Sequence, residues 1–274
     1  LPVIMMPLVR SFICIFFLPL ASLAFAQEAV LTKMYTAVQQ AQEMSFSFKS
    51  LERFDDGDDF RYETKEMRVD FSQSPLKITL NMVTPNKGTR IVYDPAYRSS
   101  HAKVWIDLGI GSVPKDFFIY GSTLIGKAHH PVSKSGFDPI VNICRAAQSL
   151  TKGQNRYEEV FSDHGLVTYD GRNCYKIEVK DEQYNTLSYQ TKVGETINSI
   201  GARLQLSEYK ILQLNPEIDN RYDDLEGKRI TIPNSYAKYV LLYIDAQSYL
   251  PYMAEVHDEK GLFERYYFYD VVQK

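Results

Sequence analysis

Few residues in this chain have types and spacing suited to chemistry. His101, His129, His130, His164 and His257 are scattered, with no HExxH pair and no paired Cys/His ligand spacing. His129-His130-Pro131 is the one cluster. Neighbours on an extended segment point opposite ways, so the two rings are not expected to share a metal. The acidic pairs Asp55-Asp56, Asp58-Asp59 and Asp223-Asp224 fall in turn-like polar stretches. Solvated loop charge is expected there, not two carboxylates poised across a sugar. No GxSxG elbow is present, and neither Cys144 nor Cys174 sits in a catalytic signature. These observations point to a binding protein rather than an enzyme, with no cofactor and no metal site.

The elements that position these residues follow from periodicity. Arg10, the apolar run Phe12 to Leu20, and Ala24-Phe25-Ala26 before Gln27 read as a cleavable export signal over residues 1–26. The run is too short for a convincing membrane span, although an uncleaved anchor is the alternative. Cys14 lies inside that run and not at an acylation position. An exported, periplasmic protein is expected, and Cys144 and Cys174 then face an oxidising compartment. They either form a disulfide or stay as two separate buried thiols; their spacing leaves both open.

Residues 27–43 read as a helix. The period then changes to two over FSFKSLERF (46–54) and FRYETKEMRVDF (60–71), split by DDGDD. KITLNMV and TRIVYD flank a Pro85–Gly88 hairpin signal, and KVWIDL (103–108) continues the series. A looser stretch leads to a second helix over 137–150, then to strands about an Asp170-Gly171 turn. YAKYVLLYIDA, PYMAEVHD and FERYYFYDVV close the chain. With 20 Tyr and 15 Phe, this favours a sheet with a large apolar payload. A net charge of −3 with interspersed signs gives no basic stripe for nucleic acid.

Residues 188–233 break this pattern. Tyr189 to Val193 is strand-like, Thr196 can cap a helix carrying Ile197, Ile200 and Leu204, and Gly201 permits close approach. Ser207 can cap a second helix with Ile211, Leu212 and Leu214, which Pro216 ends; Arg229 to Ile232 is a second strand. Val193-Gly194-Glu195-Thr196, Ile200, Leu204, Leu214-Asn215-Pro216, Ile218, Leu225, Gly227, Ile230, Ile232 and Pro233 resemble the LysM family, which binds peptidoglycan, chitin and other N-acetylglucosamine-containing glycans. Glu195 departs from the family's usual aspartate. The resemblance implies a shallow groove formed by Gly194, Glu195, Thr196 and Ile197 on one side and Asn215, Pro216, Glu217 and Ile218 on the other.

The rest resembles a bacterial family of unknown function in the LolA-like group, which includes periplasmic lipoprotein carriers. The matching strings are PLKITLNMVTPNKGTRIVYD, Ala128-His129-His130-Pro131-Val132 before Gly136-Phe137, and YIDAQSYLPYMAEVHDEKGLFERYYFYDV. What it implies is an α+β fold: a curved antiparallel sheet, a half-barrel with flanking helices, with an apolar cavity on its concave side. A filled interior is the expectation, because side chains pack small curved sheets readily. The expected organisation is a discontinuous domain, 27–187 and 234–274, interrupted by the LysM-like βααβ unit at 188–233; close termini make such insertion tolerable. The expected function is envelope glycan binding, with a sheet that takes a lipid, lipoprotein or protein partner. A cell-wall glycan hydrolase, or another envelope enzyme with an unrecognised site, is the alternative.

Overall fold

Alternating strands joined by tight turns leave little choice but an antiparallel meander. The computed structural model describes residues 21–56, 59–106, 112–126 and 128–274, with only the backbone for 21–27 and 56. Most of the expected export signal, Asp58 and residues 107–111 lie outside the described residues. The sheet begins with β1 (Glu43–Asp56), β2 (Asp59–Gln73), β3 (Leu76–Thr84), β4 (Arg90–Tyr93), β5 (His101–Trp105) and β6 (Lys115–Phe118). It continues with β7 (Phe161–Tyr169) and β8 (Arg172–Lys180). A separate ribbon pairs β9 (Thr186–Gln190) with β10 (Arg229–Pro233), and β11 (Tyr239–Asp245), β12 (Pro251–Asp258) and β13 (Gly261–Gln273) complete the large sheet.

Among the described residues that sheet has eleven strands in the order β6-β5-β4-β3-β2-β1-β13-β12-β11-β8-β7, with β6 and β7 at its two edges. Strand β6 lies in the stretch read as loose from sequence. Four residues with two Phe side chains carry too short an alternation to stand out, and pairing with β5 makes the strand. On the other side, Asp55 belongs to β1, not to a solvated loop; its carboxylate meets Lys260 at 3.1 Å.

Helices α1 (Ala21–Gln40), α2 (Pro95–Arg98), α3 (Ser122–Ile125), α4 (Asp138–Gly153) and α5 (Tyr157–Val160) precede the βααβ segment. Leu31 and Met34 of α1 and Ile140, Val141 and Cys144 of α4 are buried in one core with Phe46, Val69, Ile78, Leu242 and Phe268 of the sheet. Cys174 faces the opposite side with Tyr252 and Met253. The two cysteines are therefore free and buried on opposite faces, so the disulfide is absent. Burial pushes the Cys144 thiol up to about 12 and the Cys174 thiol up to about 11.

Between β8 and β11 the chain makes β9, α6 (Ile197–Leu204), α7 (Glu208–Leu214) and β10. Its first strand begins upstream of the 189–193 expected and ends at Gln190, and Val193 is 77% exposed. Thr191 explains the stop: its hydroxyl turns back to the Leu225 and Lys228 carbonyls. Thr196 and Ser199 form a reciprocal capping box at α6, and Ser207 caps α7 through Lys210 N at 3.2 Å. Ile197, Ile200, Leu206, Ile211, Ile218, Leu225, Ile230 and Ile232 form a core of their own. Meanwhile β8 and β11 pair directly, with Tyr239 opposite Lys180 and Leu242 opposite Ile177.

The βααβ segment is not a pendant. Lys210, 1% exposed, donates to Asp258 at 2.8 Å and Glu259 at 2.6 Å, while Arg53 meets the same Asp258. Arg221 donates to the His129 carbonyl at 2.9 Å, and the Tyr209 ring stacks on His129 at 4.3 Å.

Candidate functional site: an amphipathic cavity

Alternation along three neighbouring strands builds a graded surface. Phe46, Phe48, Ser50 and Glu52 of β1 share the face that carries Val69, Met67, Lys65 and Glu63 of β2. Across β13 the row continues through Phe268, Tyr266 and Glu264. One end of this floor is apolar; two residue rows at the other end are polar. Above it lies a cavity of about 370 Å³, bounded also by Leu80, Met82, Ile91, Val104, Val132 and Ile140. That volume lies within the roughly 300–1,000 Å³ of ligand pockets. The filled interior expected from sequence is thus replaced by a cavity, walled by residues of β3, β4 and β5 and by Pro139 and Ile140 of α4.

The polar end is organised by two glutamates in register, Glu52 opposite Glu264, with Glu63 opposite Glu52 on the other side. Glu264, with no exposed surface, accepts from Tyr236 at 2.8 Å and Tyr266 at 2.8 Å, and meets His129 Nδ1 at 2.9 Å. His129 Nε2 donates to the Arg53 carbonyl at 2.7 Å. Lys65 donates to Glu52 at 2.7 Å. Burial alone raises a carboxyl, but at Glu264 the charges and hydrogen bonds of His130 and His129 outweigh it and hold the group far below its usual range. At Glu52 burial is likewise outweighed, by Lys65 and then His129. Burial drives the Tyr236 and Tyr266 hydroxyls well above 10, so both stay protonated donors.

Sequence reasoning missed this cluster and misjudged His129-His130. The pair lies in a bend, not on a strand, so both rings reach Glu264, His130 Nε2 at 3.4 Å. The available signal was polar residues in the apolar register, Ser50 and Glu52 after Phe46 and Phe48, and Glu264 before Tyr266 and Phe268. Among the described residues no group of three or more His, Cys, Asp or Glu has metal-site geometry.

The eight residues that the LysM resemblance singled out are placed on one small unit but do different work. Ile197 and Ile218 are buried in its core. Asn215 is buried too: its amide donates to the Ile211 and Thr231 carbonyls at 2.6 and 2.7 Å, and accepts from Thr231 N at 2.8 Å. Thr196 caps α6. Glu195 accepts from Lys192 N at 2.9 Å, Tyr189 at 2.8 Å and Arg203 at 2.6 Å; the backbone hydrogen bond leads in holding its pKa low. Gly194 sits in a left-handed turn at φ 73° and, with Pro216 and Glu217, is exposed. None of the eight lines the cavity under the sheet.

No known family profile matches the chain, and no curated protein does. Several solved structures align with it over most of its length. A conserved uncharacterised protein of Thermus thermophilus aligns at 8% identity and TM-score 0.38, covering 91% of this chain and 88% of that one. The lipoprotein LppX of Mycobacterium tuberculosis aligns at 11% identity and TM-score 0.38, covering 91% and 96%. A LolA superfamily protein of Nitrosomonas europaea aligns at 10% identity and TM-score 0.28, covering 90% and 93%.

Proposed function

We propose that this chain is an exported envelope-binding protein with two binding surfaces: a sheet cavity for the apolar part of a lipid or lipid-bearing partner, and a LysM-like unit for N-acetylglucosamine glycan. The observation that carries the first is the floor of the cavity, apolar at one end and polar at the other, open beneath a curved sheet. Such a shape matches an amphiphile in one orientation. The second rests on the βααβ order, its separate core and the residues quoted above for the LysM resemblance. In this reading the sheet domain, 27–187 and 234–274, is interrupted at the β8–β11 hairpin, and the exposed Gly194, Pro216 and Glu217 form the rim of the glycan groove. Export follows from the candidate signal at 1–26.

Two assays test the reading. The fluorophore N-phenyl-1-naphthylamine is expected to brighten on binding the protein, and Ile91→Trp, which fills the cavity, is expected to abolish the gain without unfolding the chain. No enhancement with the native chain would overturn the cavity assignment. In parallel, purified sacculi are expected to sediment the protein, and the double change Pro216→Asp, Glu217→Arg to release it. Protein left in the supernatant rejects glycan binding; soluble muropeptides in the same tube favour a hydrolase instead.

A further inference from the structure

Helix α4 is apolar on two sides. Ile140, Val141 and Cys144 join the sheet core, while Ile143, Ala146, Ala147 and Leu150, three and four residues apart, make a second stripe toward the βααβ unit. That unit is anchored to the sheet through Lys210, Tyr209 and Arg221, but α6 and the β9–β10 ribbon stop short of the stripe. The two alanines add too little bulk to close the gap. Two adjoining hollows result, of about 410 and 190 Å³, with Ile143, Gln205, Leu206 and Tyr236 on the walls of both.

The larger hollow suits hydrocarbon. Leu187, Leu204, Ile232 and Pro233 of the βααβ unit lie across it from the α4 stripe. Asp181 is the one charged side chain on its wall among the described residues, and Arg156 holds it at 2.8 Å. An apolar chain gains by leaving water for such walls, whereas a charged group gives up its hydration. The smaller hollow, at the start of α4, is bordered by Ser133, Lys134, Asp138 and Asn142 and is the polar end. Together the two follow α4 from Asp138 to Leu150. The helical rise makes this stretch roughly 18 Å long, and one leaflet of a bilayer's hydrocarbon core is about 15 Å deep.

Going beyond the sheet-cavity reading, we infer that this groove is a second lipid site, which takes one acyl chain of a membrane lipid. The chain lies along α4 with its methyl end against Ala146, Leu150 and Leu187 and its polar end at Ser133 and Asn142. The βααβ unit supplies one wall of the site.

Photolabelling of the full chain with palmitate carrying a diazirine near its methyl end, followed by peptide mapping of the adducts, tests this. Adducts are expected within 143–150 and at Leu187 or Leu204. Ala146→Trp, which fills the groove, is expected to abolish them and to keep any adducts at Met67, Leu80 and Phe268; Ile91→Trp is expected to do the reverse. Leu187→Glu, at a position 43% exposed and so tolerant of charge, is expected to abolish the groove adducts even if Ala146→Trp does not fold. Groove adducts lost in these variants support the inference whether or not the sheet cavity is labelled. Adducts in the sheet cavity alone overturn this inference and leave the cavity reading standing, whereas no adducts anywhere overturn both. Adducts confined to 133–142 overturn it, as does groove labelling that survives both variants. An unlabelled groove in a dimer that Leu187→Glu dissociates puts a second copy of the chain there and overturns it as well.

Discussion

Glu52 and Glu264 face each other across β1 and β13, an arrangement that by itself destabilises a sheet. Their neighbours reverse the sign. Lys65 sits on one, the His129 ring on the other, and the Tyr266 hydroxyl lies between them, 3.2 Å from Glu52 and 2.8 Å from Glu264. Removing one charge from such a fully buried group uncovers the other, so Glu264→Gln is expected to cost about 3 kcal/mol in urea unfolding. Acid should act the same way on the whole set. Glu52, Asp258 and Glu264 all have folded pKa values below their ordinary ones; at Asp258 burial works upward but Arg53 and Lys210 outweigh it. A depressed folded pKa contributes stability that is fully present above the unfolded value, about 4, and is lost as pH falls through the folded value. Urea midpoints are therefore expected to hold steady near neutrality and to fall progressively below about pH 5, and less so in Glu264→Gln.

Two cations of the βααβ element hold carboxylates at similar distances but with different expected worth. Lys210, 1% exposed at its side chain, holds Asp258 and Glu259, whereas Arg203, 46% exposed, holds Glu195. Lys210→Ala leaves the buried Asp258 carboxylate short of a cation and is expected to cost about 3 kcal/mol, although Arg53 still meets Asp258. Arg203→Ala is expected to cost under about 1 kcal/mol, since water screens the exposed pair. Gly201 tests the contact of α6 with α7. A Cβ there would lie 2.7 Å from Glu208 Cγ and 3.1 Å from the Leu206 carbonyl, so Gly201→Ala is expected to lose about 1–3 kcal/mol despite alanine's better helix propensity. Thermal melts of the three variants give the ranking.

For the whole molecule, the βααβ unit and the sheet share a boundary made of charges and rings. Arg221 reaches the His129 and Ala128 carbonyls, and Ala128 lines the cavity. Replacing residues 186–233 by a short turn keeps β8 beside β11 but uncovers Phe54, His129 and Phe263, which now pack around Tyr209. The shortened chain is expected to fold with a melting temperature roughly 6–12 °C lower, about 3 kcal/mol of lost buried pairing at this size. Local alternation and caps were enough to read the hairpin about Asp170-Gly171, helix α4, and the strand–helix–helix–strand order of the βααβ segment, because each depends on residues a few positions apart. The short edge strand β6 carried too little of that signal. The cavity and its polar end were not legible: His129 and Glu264 are 135 residues apart, and nothing but strand register and the bend at 129–130 brings them within 2.9 Å. Whether a concave face is filled or hollow likewise depends on how far the sheet runs beyond the helix that covers it, a sum over many elements that no single stretch of sequence contains.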